Sequence, residues 1–241
     1  AEPDGDVLLL IAKSDAWDEN STNLKLGRIR LRCNVPLAGP FRQTLRLRTG
    51  DIAINLGRVH LLIWVDANHP VVRIDARCES PFVLDATLET WRTEPRTIRT
   101  QTSDLFKQLG AGDPYPTICS PDRVLQNDAD RVVWCHHNEP RGNDGYAINM
   151  RLQGLGGFID QIKHPLLGRT FGAAMSGHSS APRNTHQLAI HALTTLHPVT
   201  IEQWAEQLDQ TAKNVAKGQR DRHEQWWAQF WQRSWIEIPE A

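Results

Sequence analysis

Residues 11–31 read IAKSDAWDENSTNLKLGRIRL and join two extended runs. Residues 6–13 form the first run. Residues 26–34 form the second, where Ile29, Leu31 and Cys33 point one way and Arg28, Arg30 and Arg32 the other. That period of two marks a half-buried strand. Between the runs, Asp15, Trp17, Asp18, Glu19 and Asn20 fall within six positions. An indole offers a flat apolar face, and carboxylate and amide groups bind hydroxyls, so the segment suits a sugar. The same composition also suits a polar connecting turn with one Trp packed on the core.

The alternation continues outward. Leu45 and Leu47 alternate with Arg46 and Arg48, a turn follows at residues 49–51, and Ile52, Ile54 and Leu56 alternate with Ala53 and Asn55. Residues 57–66 and 71–77 read as two more strands. In 82–90, Phe82, Leu84, Ala86 and Leu88 oppose Val83, Asp85, Thr87 and Glu89. Residues 94–127 read as irregular, with GAGDPYPT at 110–117 the most loop-like part. Strand character is expected again at 130–137, 146–155, 168–177 and 186–197. Regularly spaced strands with turn signals between them predict a sandwich or barrel.

At Thr200 the pattern changes to helix. Thr200 with Gln203 fits a capping box, and Ile201, Trp204, Leu208, Ala212 and Val215 follow at helical spacing. Gly218 marks a break, and His223, Trp226, Trp227, Phe230 and Trp231 continue on a second helix before an extended run at 234–238. So many large aromatic side chains cannot stay uncovered, and the chain's own sandwich, a partner or a following domain must pack on them.

Composition narrows the function. The 241 residues carry 27 Lys and Arg against 28 Asp and Glu, a net charge of −1. No polyanion-attracting field is expected, and the arginines alternate on solvated sheet faces without interleaved aromatics, so nucleic acid is excluded as a partner. No apolar run is long enough to span a membrane. Cys33, Cys78, Cys119 and Cys135 form no CxxC pair and have no metal-ligand spacing with His, so they read as buried thiols. His136 and His137 are neighbours on a strand and face opposite ways, so they do not share one ion. No cofactor or metal is expected. The strand end WCHHNEP at 134–140 opens into a polar loop whose His136, Asn138 and Glu139 could meet a ligand, or could form a satisfied strand-end cluster. MSGHS at 175–179 lacks the leading Gly of a nucleophile elbow, and GLGG at 154–157 lacks dinucleotide-fingerprint spacing. No catalytic pair is assigned, because sequence cannot set the separation of Asp15, Asp18, Glu19 and Glu139.

Six blocks carry a resemblance: KSDAWDENSTNLKLGRIRL at 13–31, FRQTLRLRTGDI at 41–52, LLIWVDANHPVVRI at 61–74, the strand end at 134–139, HPLLGRTFGAAMSG at 164–177 and RHEQWWAQFWQRSWI at 222–236. Together they resemble the N-terminal domain of unknown function family 5703, itself similar to the N-terminal β-domain of glycoside hydrolase family 95. The resemblance implies a mainly β, two-sheet supersandwich like galactose mutarotase over residues 1–198. It implies a C-terminal α-helical linker over 199–241, leading to an (α/α)6 barrel that performs the hydrolysis. The family's opening strand, with its Gly-Asn-Gly motif, is expected before Ala1 and the barrel after Ala241, so the chain reads as a non-catalytic fragment of a glycoside hydrolase. Its partners would be an oligo- or polysaccharide and that catalytic domain. Asp15, Trp17, Asp18, Glu19 and Asn20 would line one wall of the sugar site, with His136 and Asn138 beside them. Relatives are often exported, and any signal would precede Ala1. Two other readings stay open: a free-standing carbohydrate-binding module, and a mutarotase-type epimerase using His136 with Glu139 or Asp66.

Overall fold

The computed structural model describes residues 5–35, 40–98, 117–129, 131–140, 145–215 and 220–234. The chain is mainly β, with short C-terminal helices. Ten strands form one antiparallel sheet: β1 (Val7–Trp17), β2 (Asn23–Cys33), β3 (Phe41–Arg46), β4 (Asp51–Leu56), β5 (Val59–Val65), β6 (Val71–Glu89), β9 (Asp122–Asn127), β10 (Arg131–His137), β11 (Thr170–Ser176) and β12 (Ser179–Thr194). A separate ribbon pairs β7 (Arg96–Ile98) with β8 (Thr117–Cys119). The main path runs β3-β4-β5-β6-β12-β11-β10-β9, and β2 and then β1 add onto the second half of β6.

The 19-residue β6 is the hinge of this arrangement. Its first half, up to Arg77, pairs with β5 and β12; past it, Phe82 and Leu84 still pair with Arg183 and Ser179 of β12, while Leu84–Glu89 pairs with β2. The 71–77 and 82–90 runs are thus one strand, bent at exposed Glu79–Pro81. Pro81 has no N–H for the ladder, and the register of β12 shifts on both sides of Arg183, which pairs with the next residue, Phe82. Side chains replace the lost ladder bonds there. Asn184 Nδ2 donates to the carbonyls of Glu79 (2.6 Å) and Cys78 (3.3 Å), and His186 Nε2 lies 2.7 Å from the Phe82 carbonyl. A strand that bends in this way carries its sheet from one layer into another.

The bend lays β1 and β2 over β10–β12. Ile29, Leu31, Phe82, Leu84, Trp134, Phe171, Met175 and Ile190 fill the space between and are fully buried. Trp134 Nε1 donates to the Leu26 carbonyl at 2.7 Å, joining the layers by a buried hydrogen bond. The other face of β10 and β11 is covered by helix α2 (Ile201–Asn214), whose Trp204 and Leu208 meet Val133, Cys135 and Ala174. Burial on both faces explains why β10 is apolar at consecutive positions. The predicted capping box closes α2: Gln203 N donates to Thr200 Oγ1 at 3.2 Å, and Thr200 N to Gln203 Oε1 at 3.0 Å.

Four expectations need correction. Leu45 is 62% exposed because β3 pairs only with β4 and its alternation faces no second layer, and Leu47, 59% exposed, lies past the end of β3 in the turn to β4. Residues 57–58 are the β4–β5 turn, with Gly57 at φ 57°, rather than the start of a strand. Residues 94–127 include β7, β8 and β9; the most loop-like tract, 110–116, lies outside the described residues. The 146–155 run is helix α1 (Gly145–Leu152), built from Ala, Met, Arg and Leu, which favour helix. A Schellman turn ends α1: Gly154 at φ 74° donates to the Arg151 carbonyl, and Leu155 N to that of Met150 at 2.8 Å.

Helix α3 (Arg220–Trp231) packs on the chain's own sheet end. Its buried His223 has Nε2 2.9 Å from the Thr49 carbonyl and accepts from Ala67 N at Nδ1 (3.2 Å). Trp231 Nε1 donates to the Leu47 carbonyl, and Arg220 pairs with Asp51. Gly218 and residues beyond 234 lie outside the described residues, as do the break and extended run expected there. Among the described residues no helix is long and apolar enough to cross a membrane.

Candidate functional site

Asp18 shapes the β1–β2 loop. Its Oδ1 accepts from the backbone N–H of Asn20 (3.0 Å) and Thr22 (2.7 Å), an Asx-type arrangement that closes the turn locally. Asp18 N donates to the Thr22 carbonyl at 3.0 Å, and Ser21 takes the left-handed conformation at φ 64°. Just before the turn, Trp17 Nε1 donates to the Ser14 carbonyl at 2.9 Å, so the exposed indole is tethered rather than free.

Beneath the loop lies a buried polar cluster. Glu19 Oε1 accepts from Ser120 N (2.6 Å) and Ser120 Oγ (2.7 Å), while Oε2 faces His136 Nε2 at 3.3 Å. His136 Nδ1 faces Asp122 Oδ1 at 3.0 Å, and Asp122 is held by Arg92 at 2.9 and 2.8 Å. The His136 ring stacks on Phe171 with centroids 5.0 Å apart. Cys119, on β8, completes the group: one ligand-type atom from each of Glu19, Cys119 and His136 lies within 4.8 Å of the others. Asn20 Nδ2 donates to the Ile118 carbonyl at 2.9 Å, and Asn138 Nδ2 to those of Trp17 and Leu166, both at 2.9 Å.

The electrostatics follow from this packing. Burial opposes the charged form of His136, but the carboxylates of Asp122 and Glu19 outweigh it and raise its pKa. Burial also pushes Glu19 up, yet the bonds from His136 and Ser120 prevail and hold it below the ordinary carboxylate value. Asp18 is raised, chiefly by burial and also by Glu19, despite its amide donors. Burial, with Asp18 and Glu19 alongside, pushes the Cys119 thiol far up, so it is no nucleophile as it stands.

The family model described as domain of unknown function (DUF5703) matches residues 1–187 and 178–236. The chain belongs to this family. No curated protein matches it. A solved structure, "Putative kojibiose phosphorylase from human microbiome", is similar over 94% of this chain at 9% identity, with a TM-score of 0.43. This chain spans 28% of that chain's length.

The DUF5703 fold divides the sequence-predicted residues into two sets. Asp18, Glu19, Asn20, His136 and Asn138 converge, all buried, with their polar atoms turned onto one another and onto backbone. Trp17 stays at the surface at 41% exposed, and Asp15 is partly exposed, paired with Lys13 at 2.5 Å and accepting from Thr194 Oγ1 at 2.9 Å. Glu139 pairs with Arg123, and Asp66 caps the β5–β6 turn through Asn68 N at 2.8 Å; the partners of His136 are instead Glu19 and Asp122. Sequence reasoning missed Arg92, Cys119, Ser120 and Asp122. All lie in or beside a tract read as irregular, where Val124 and Leu125 stand side by side between Arg123 and Gln126 in what became β9 and give no period-two signal. The four cysteines are free thiols, and all but Cys33 are buried.

Proposed function

We propose that this DUF5703 domain is a non-catalytic β-domain of a larger glycosidase-related protein, presenting Trp17 and Asp15 to a saccharide. The observation that carries the reading is the exposed Trp17 indole on a loop locked from below. Its Nε1 is tied to Ser14, its carbonyl is held by Asn138, and the next three residues are buried. A flat apolar face that is already ordered loses little entropy when a sugar ring lies on it. The buried residues then position the platform rather than contact the ligand. α3 leaves Trp226 and Trp231 partly exposed, with Phe230 stacked on Trp226 at 5.5 Å. In this reading that aromatic surface packs on a helical catalytic domain.

The test is kinetic, on the whole protein that contains this domain. Trp17→Ala is expected to weaken saccharide binding by about 1–3 kcal/mol, as loss of a stacking aromatic does in nucleic-acid sites, or roughly 5–150-fold in KM. An unchanged KM removes Trp17 from the site. A free-standing binding module is the second reading. It is favoured by the docking of α3 on the sheet, which covers part of the aromatic tail. Saturable quenching of Trp fluorescence by an oligosaccharide on the isolated chain supports it, and the absence of quenching leaves the first reading.

A further inference from the structure

Glu19 comes from the β1–β2 loop, Cys119 from β8 and His136 from β10, with Glu19 at least a hundred residues before the other two, yet all are at least nine-tenths buried. Together they supply a carboxylate, a sulfur and an imidazole, the mixed O/S/N donor set of a borderline-soft divalent ion. We propose that these three side chains form a binding site for a divalent cation of the zinc class, with Asp18 at its edge.

Three features support it. First, the 3.3 Å between His136 Nε2 and Glu19 Oε2 is long for a charge-assisted hydrogen bond, usually about 2.7–2.9 Å. It matches the edge of a tetrahedron whose ligands sit about 2.0–2.1 Å from a central ion, roughly 3.3–3.4 Å. The other Glu19 contacts, at 2.6 and 2.7 Å, show no such stretch. Second, the far nitrogen of His136 already has the partner that metal-bound imidazoles take. Nδ1 faces Asp122, itself fixed by Arg92, the carboxylate–histidine support that sets tautomer and ring orientation. Third, Asp18 is fully buried, its Oδ2 meets no N–H or O–H among the described residues, and the Cys119 thiol is the side chain that hydrogen-bonds its carboxylate from the cluster. A buried carboxylate oxygen left over at the edge of a donor cluster needs a cation or a proton.

The charge balances. Both His136 nitrogens face carboxylates, so without metal each carries a proton. Loading releases the Nε2 proton and the Cys119 thiol proton as an ion of charge +2 enters, and the charge of the cluster is unchanged. The bound ion would pin the β1–β2 loop to β8 and β10 directly under Trp17. The inference is independent of the saccharide reading, since its readouts involve no sugar.

The experiment uses the untagged chain, titrated with Zn²⁺ against a competing chelator and, separately, with Co²⁺. One equivalent of zinc per chain is expected, along with a thiolate-to-cobalt charge-transfer band in the near ultraviolet. Cys119→Ser is expected to remove the band, whereas Cys135→Ser, on the α2 side of β10, keeps it. Asp122→Asn is expected to lower zinc affinity by about 10–100-fold, the usual cost of losing a supporting carboxylate. Failure of the native chain to take up zinc, or to show the cobalt band, overturns the proposal even if the variants do not fold. So does a band that survives Cys119→Ser.

Discussion

Gly50→Ala tests how α3 is held. Gly50 lies in the β3–β4 turn at φ 61°, a left-handed conformation that costs an L-residue about 1–2 kcal/mol. A Cβ there would also fall 1.9 Å from Trp227 Nε1, 2.2 Å from Cε2 and 2.5 Å from Cδ1. The indole cannot simply turn away, because Trp226, Phe230 and Trp231 surround it at centroid distances of 5.1, 5.4 and 6.1 Å. Forcing a group into such packing costs about 1–3 kcal/mol. The two terms together predict a loss of about 2–5 kcal/mol, read by urea unfolding followed in parallel by Trp fluorescence and far-ultraviolet circular dichroism. The Trp227→Ala background separates them: the steric part vanishes and only the backbone part remains. The double mutant should therefore be about 1–3 kcal/mol more stable than the sum of the single effects. Additivity within about 0.5 kcal/mol would refute the contact between the turn and α3.

Further outcomes are expected. Trp134→Phe strands the buried Leu26 carbonyl and leaves a void between the layers, a loss of about 2–4 kcal/mol in chemical denaturation. Asn138→Ala leaves the Trp17 and Leu166 carbonyls unpaired and should cost about 2–4 kcal/mol, with faster amide exchange in the 18–22 loop. Asp51 gives a pH dependence. Burial raises its pKa, but Arg46 and Arg220 outweigh burial and hold the carboxyl below its ordinary value. Its contribution is therefore complete above the unfolded value of about 3.9 and is lost as pH falls through the lower folded value. Stability measured from about pH 6 downward should drop below about pH 4, and Asp51→Asn should flatten that part of the curve.

The sequence announces the fold where one face of a strand is buried and the other is wet. β2 and the second half of β6 alternate and pair with each other, Ile29 against Leu88 and Leu31 against Ala86. The capping box of α2 is equally legible, because its signal lies within four residues. Legibility fails where tertiary context decides. The alternation of β3 matches that of β4, and nothing in Leu45 shows that no second layer lies over it. The Ile148 run could be strand or helix until Gly154 closes a Schellman turn. The bend in β6 depends on Asn184, about a hundred residues away, supplying donors to carbonyls that the ladder leaves open.

The candidate site shows the same division in chemical terms. A loop of acid and amide side chains beside a Trp is ambiguous in sequence, because the groups that bind hydroxyls also bind backbone amides. Position along the strand end resolves it. Trp17 is the last residue of β1 and still points outward, whereas the turn that follows folds Asp18, Glu19 and Asn20 back under it. Once buried, each of those groups must find a partner, since leaving one open costs about 1–3 kcal/mol. Asn20 finds the Ile118 carbonyl, Glu19 finds Ser120 and His136, and Asp18 Oδ1 finds the amides of its own turn. Among the described residues of this cluster, Asp18 Oδ2 and Asn138 Oδ1 find no N–H or O–H partner. The buried polar residues therefore set the placement of Trp17, and beneath it one oxygen, one sulfur and one nitrogen from Glu19, Cys119 and His136 lie within 4.8 Å of one another.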